Sequence, residues 1–162
     1  MKPSVSMRGL GRGFLVVMAM LAGLALGAGQ GRAEEAVPSP QDQEVLIKTS
    51  LLTFNDANIT GNYDVLHAKL AKPFRDGSPP DKLKEAFKGF ADNGIYIDGI
   101  AAAKPVLTEE ARVDDRGALL LHGYFDTSPV TRVSFELDYI FESGWKVIKI
   151  KVQVGRPDAA PQ

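Results

Sequence analysis

The sequence predicts an α+β domain in which three N-terminal helices pack on one face of an antiparallel sheet of about four to five strands. Two observations lead to this prediction. Residues 41–93 contain helix start and stop signals around apolar residues at helical spacing, whereas residues 95–154 contain alternating apolar and polar residues separated by turns. Helices that precede all the strands are typical of a sheet that carries its helices on one side.

Residues 1–33 have the organisation of a secretory signal peptide. Three basic residues, Lys2, Arg8 and Arg12, precede an apolar run over residues 14–26. That run is shorter than the roughly 20 residues of a membrane-spanning helix. Small residues before Ala33 predict cleavage between Ala33 and Glu34, which indicates a periplasmic or secreted protein.

Charge and composition exclude several classes of partner and site. Cleavage removes four basic residues and no acidic ones, which changes the formal net charge from −1 to −5. An acidic chain without a basic cluster is not expected to bind nucleic acid, or a membrane surface after cleavage. There is no cysteine, and the two histidines, His67 and His122, are far apart in the sequence. We therefore predict no disulfide, no metal site and no cofactor.

The predicted domain covers residues 41–154, after a lead-in at residues 34–40 and before a disordered tail at residues 155–162. Ser39 and Pro40 are an N-cap and a first helical residue, and Gly61 ends this helix. A shorter helix is predicted over residues 62–70, and a third from Pro80 to Asn93.

Strands are predicted over residues 95–100, 104–114 and 118–127, followed by a hairpin over residues 131–154. If Ser143 and Gly144 form a two-residue loop, Tyr139 lies opposite Ile148 on the apolar face. The same register places two pairs of opposite charge on the other face, Glu136 with Lys151 and Asp138 with Lys149.

The order of these elements resembles the nuclear-transport-factor-2-like superfamily, a cone-shaped α+β fold. The resemblance rests on Phe54-Asn55-Asp56 late in the first helix, on Tyr63, and on the terminal strand that begins Gly144-Trp145-Lys146-Val147. It implies a curved sheet that encloses a cavity with the first helix. Members include enzymes that resemble ketosteroid isomerase and dehydratases, and also secreted domains without known activity, so the fold does not select a function.

Four polar residues are candidates for the walls of such a cavity: Thr53, Asp56, Tyr63 and Tyr139. Asp56 is the best candidate for a carboxylate between apolar helix faces, where burial would raise its pKa and suit proton abstraction. In the alternative interpretation, which we favour, Asp56 and its threonine neighbours bond to nearby backbone. Tyr139 is the polar member of the apolar hairpin face, so its hydroxyl needs a partner.

Three apolar residues, Ile140, Trp145 and Val147, are predicted on the charged side of the hairpin. There they either form an interface for a homodimer or are covered by a loop or the tail. Two functions are therefore expected from the sequence. The first is a non-catalytic secreted domain that binds a small apolar ligand or a protein partner. The alternative is an acid–base enzyme of the isomerase or dehydratase kind, with Asp56 as base and Tyr139 or Tyr63 polarising the substrate oxygen.

Overall fold

The computed structural model describes residues 36–157, which form four α-helices and then five strands. The helices are α1 (Pro40–Thr60), α2 (Asp64–Lys69), α3 (Lys72–Gly77) and α4 (Pro80–Asp92), and a 3₁₀ helix (Asp98–Ala101) leads into the sheet. The strands are β1 (Val106–Leu107), β2 (Arg112–Val113), β3 (Leu119–Ser128), β4 (Thr131–Phe141) and β5 (Trp145–Gly155). The predicted α+β class and antiparallel sheet are confirmed.

Two predictions fall wholly or partly beyond this range. The signal peptide and its cleavage site between Ala33 and Glu34 lie outside the described residues. Most of the predicted tail lies outside them too, although its first residue, Gly155, is the last residue of β5.

Helix α1 begins and ends where the sequence predicts. The Ser39 hydroxyl accepts a hydrogen bond from the Asp42 amide, and Gly61 ends the helix in the left-handed conformation with φ of 69°. One apolar side of α1 enters the core, with Ile47, Leu51 and Phe54 almost fully buried. A second apolar stripe on α1 contains Val45 and Ile59, which are 54% and 48% exposed.

Helix α3 lies between the second and third predicted helices, in a segment for which no helix was predicted. Its Pro73 lies in the first turn, where a helix does not need the missing N–H group. The proline therefore helps to begin a new helix immediately after α2, and four helices replace the three predicted.

One of the predicted strands is wrong, and another is confirmed only in part. Residues 95–100 form a loop and the start of the 3₁₀ helix instead of a strand, because the Asn55 side chain in α1 accepts the Ile97 amide at 2.8 Å. The predicted strand over residues 104–114 is two short strands, β1 and β2, which pair with the same edge of β3.

The strand order in the sheet is β1-β3-β4-β5, and β2 also pairs with β3, on the same edge as β1. Its inner face packs on the helices in the core, where the Phe54 ring contacts Phe87 and Phe90 edge-on, with ring centroids 4.9 and 5.0 Å apart. We call the opposite side the outer face. Its residues on the long strands include Leu120, His122, Tyr124, Asp126, Arg132, Ser134, Glu136, Asp138, Ile140, Lys146, Lys149, Lys151 and Gln153.

The hairpin register is as predicted up to Asp138 opposite Lys149, and then shifts by one residue. Tyr139 pairs with Val147 instead of Ile148. The loop has three residues, because Phe141 pairs with Trp145, and both Ser143 and Gly144 have positive φ. A β-bulge at the skipped residue compensates for this longer loop. As a result, Val147 and Trp145 lie on the opposite face from the one predicted.

Candidate functional site

Asp56 does not line the interior of the domain. Its side chain is exposed, because α1 turns the sector that contains Phe54, Asn55 and Asn58 toward the core. Thr53, the neighbouring candidate, donates from its hydroxyl to the Thr49 carbonyl one turn earlier, at 2.7 Å. The prediction of a carboxylate buried between apolar faces is therefore wrong in its geometry. The backbone-bonding interpretation describes Thr53 better.

Tyr63 is buried, but its hydroxyl is already engaged. It donates to the Asn58 side-chain oxygen at 2.7 Å, and the Asn58 amide donates to the Phe54 carbonyl at 2.9 Å. Burial raises the pKa of Tyr63, which keeps the phenol protonated and able to donate. This pair ties the start of α2 to the last turns of α1.

Tyr139 is almost fully buried and bonds to the first half of α1. Its hydroxyl lies 3.1 Å from the Leu46 carbonyl and 3.0 Å from the Ser50 hydroxyl. Burial raises the pKa of Tyr139 strongly, so the group is a neutral hydrogen-bonding partner. It joins β4 to α1 across the core.

The two tyrosines do not converge on one reaction centre. The Tyr139 hydroxyl meets α1 at Ser50 and the Tyr63 hydroxyl meets it at Asn58. Eight residues of helix separate these positions, which corresponds to about 12 Å along the axis. With Asp56 in solvent, the base and the oxyanion partner of the predicted enzyme are not brought together.

We expect Tyr139→Phe to lower the free energy of unfolding by about 1–3 kcal/mol, because the Ser50 hydroxyl and the Leu46 carbonyl lose a buried partner. Asp56→Asn is the control on the same helix, and its effect should stay within about 0.5 kcal/mol because the side chain is exposed. Urea denaturation of both variants measures these values. Equal losses of stability would contradict these assigned roles.

The predicted apolar patch is split between the two faces of the sheet. Val147 is buried, with 2% of its surface exposed, and its carbonyl accepts the Ala71 amide at 2.9 Å. Trp145 packs against the core and contacts the Phe141 ring edge-on. Ile140 lies on the outer face, half-buried, as predicted. The β-bulge moves the other two, so the three residues do not form one exposed surface.

The outer face contains an ordered network of charged side chains. His122 is its centre, with Nδ1 2.7 Å from a Glu109 carboxylate oxygen and Nε2 2.7 Å from an Asp138 oxygen. Lys149 and Lys151 each donate to a different oxygen of Glu136, at 2.6 and 2.7 Å. The two predicted charge pairs thus belong to a larger arrangement across four segments of the chain.

The protonation of this network follows from its geometry. Carboxylates only accept hydrogen bonds, so both bonds of His122 form fully when the ring carries two protons. The hydrogen bond to Asp138 raises the pKa of His122 against the cost of burial. Burial acts to raise the pKa of Glu136, but hydrogen bonds from Lys149 and Lys151 outweigh it and lower that pKa to about 2.

We expect His122 to stabilise the domain more at pH 6 than at pH 9. Its pKa is higher in the folded state, so its contribution is complete below about 6.5 and is lost as the pH rises through the raised value. Glu136 stays ionised over this interval, since its pKa is about 2. Denaturation of wild type and His122→Gln at both pH values tests this. At each pH, the difference in the free energy of unfolding between the two proteins gives the contribution of the histidine. A difference that does not decrease with pH would contradict the assignment.

A surface depression of about 240 Å³ lies between the end of α1 and α4. Asn58, Gly61 and Tyr63 form one wall, and the other is formed by charged residues of both signs, Asp81, Lys84, Glu85, Lys88 and Asp92. Tyr63 and Asn58 already bond to each other there. Of the predicted pocket residues, Tyr63 alone is among those that line this depression.

Comparison with other proteins adds no family assignment. No family model, curated protein or solved structure matches this chain. Within residues 36–157, no helix is long and apolar enough to cross a membrane, and no group of histidine and acidic side chains has the arrangement of a metal site.

Proposed function

We propose that this chain is a secreted or periplasmic, non-catalytic domain that binds a protein partner through the outer face of its sheet. The observation that carries the proposal is the ordered charged network on that face. The side chains of Asp138, His122 and Lys151 are 15%, 18% and 22% exposed, although the core lies on the other face of the sheet. Side chains fixed before binding lose less conformational entropy when a partner arrives.

Apolar and aromatic residues also lie on the outer face. Leu120 and the half-buried Ile140 lie at one end of the network, and Tyr124 lies toward the other, with Arg132 3.8 Å above its ring. Tyrosine and arginine are enriched in surfaces that recognise proteins, so Tyr124 and Arg132 favour this face as an interface. A second copy of the chain is the first partner to test.

The nuclear-transport-factor-2-like fold and a curved sheet remain part of this proposal. The bulge in β5 and the register shift between Asp126 and Ser128 support curvature, because such irregularities increase bending and twist. The other expected functions have less support. Of the predicted walls of a small-ligand cavity, Tyr63 bonds to Asn58 and Tyr139 bonds to Ser50. Thr53 bonds to backbone, and Asp56 lies in solvent.

Site-specific photo-cross-linking in the native compartment tests the proposed function. A cross-linker at Ser134 on the outer face should capture a polypeptide, and the same group at the exposed Glu85 on α4 should not. Ile140→Glu should abolish capture from Ser134, whereas Val45→Glu, at an exposed apolar residue of α1, should not. The mass of the product distinguishes a second copy from another protein. Capture only from Glu85, or none from Ser134, would overturn the proposal.

A further inference from the structure

Among residues 36–157, the backbone edge of β5 has no partner over most of its length. β5 is the last strand of the sheet and pairs with β4 on one side. On its other side, Leu70 bridges to Val147, which covers the strand beside the hairpin loop. From Lys149 to Gly155, about 23 Å of extended chain, no backbone group of residues 36–157 bonds to this edge.

The usual devices that block such an edge do not act here. Lysines on an edge strand commonly project past it and discourage pairing. In β5 both Lys149 and Lys151 bond to Glu136 on the neighbouring strand, so their side chains lean toward β4 and away from the open edge. The β-bulge, a second common device, lies before Lys149, and the register is regular from there to Gly155.

The side chains of β5 determine which residue types an added strand would need on each face of the sheet. Toward the core, Ile150, Val152 and Val154 follow one another at alternate positions. On the outer face, Lys149 and Lys151 share one close carboxylate, Glu136. Asp138 is 3.9 Å from Lys149 but 2.7 Å from His122, which engages it more closely. The lysine pair therefore keeps an excess of positive charge.

We propose that the edge of β5 accepts an extended segment of a partner protein in which apolar and acidic residues alternate. Main-chain hydrogen bonds would hold the segment, its apolar residues would extend the inner face, and its carboxylates would pair with Lys149 and Lys151. A second copy of β5 is a poorer occupant, because it brings lysines toward lysines. This interaction goes beyond the outer-face interface, because it uses the backbone edge of β5 and shares with that interface the side chains of Lys149 and Lys151.

Amide hydrogen exchange with synthetic peptides tests this inference. The probe is a seven-residue peptide of alternating valine and glutamate, and the matched control alternates valine and lysine. At a probe concentration ten times its dissociation constant, the outward-pointing amides between Lys149 and Gly155 should exchange about tenfold more slowly. A probe methylated at the amide nitrogens that face β5 should give no protection.

Charge variants sharpen the test. Lys151→Gln should reduce the preference for the glutamate peptide over the lysine peptide, and Gln153→Lys should increase it, because Gln153 occupies the next outer position. Ile140→Glu should leave peptide binding unchanged, so this test and that of the outer face can fail separately. Equal binding of both peptides, protection located elsewhere, or β5 amides already protected in the free protein would overturn the proposal.

Discussion

Phe54→Ala is expected to cause the largest loss of stability, about 3–5 kcal/mol in the free energy of unfolding. The ring is 1% exposed and contacts both Phe87 and Phe90 edge-on. Truncation removes the apolar area that joins α1 to α4 and leaves a cavity that the rigid helices fill only in part.

The matched control is Ile59→Ala on the same helix, where the side chain is 48% exposed. Its effect should remain within about 0.5 kcal/mol. Urea denaturation followed by circular dichroism gives both values. If Phe54→Ala lowered the free energy of unfolding no more than Ile59→Ala does, α1 would not pack on α4 as described.

Gly123→Ala is expected to cause the second large loss of stability, because the added methyl group would collide with backbone atoms of β1. A Cβ atom at this position would lie 2.2 Å from the Val106 carbonyl oxygen and 3.0 Å from the Leu107 Cα atom. Because these atoms belong to the backbone of β1, the strand itself must move away. Such overpacking costs about 1–3 kcal/mol or more.

The local signature of this change is the Thr108 amide, which donates to the His122 carbonyl at 3.0 Å. Its hydrogen exchange should accelerate in Gly123→Ala as β1 separates from β3. Gly77→Ala is the control, since a Cβ there meets no atom within 4 Å. Unchanged exchange at Thr108 would show that β1 tolerates the methyl group.

The charged half of the hairpin was predictable because two signals agree there. Glu136 opposite Lys151 and Asp138 opposite Lys149 require the same register that buries the apolar row. The loop half was not predictable. A two-residue loop without a bulge and a three-residue loop with one both fit Ser143-Gly144, and they differ in the face on which Val147 lies.

The prediction that Asp56 is buried was wrong for a related reason. Helix α1 has two apolar stripes, and periodicity does not say which one faces the core. The deciding residues are polar: Asn55, whose oxygen accepts the Ile97 amide from 42 positions away, and Asn58, which accepts from Tyr63. Buried asparagines among apolar neighbours were the available signal, but their partners depend on long-range packing.

The extent of the outer-face network was also not predictable from the sequence pattern. Alternation placed His122 in a strand, yet its bond to Glu109 depends on how the segment between β1 and β2 crosses the edge of β3. That path follows from Gly123, which lets β1 approach closely. A glycine within an otherwise apolar strand is the sequence feature that indicates such an approach.

Native mass spectrometry of the protein purified from its own compartment tests the central claim most directly. If the domain functions by binding a protein through its outer face, the spectrum should show the chain in complex with a polypeptide, either a second copy or another protein. Ile140→Glu should dissociate that complex while the domain stays folded. A monomeric chain that retains a small apolar molecule would contradict the account and restore the ligand-binding alternative.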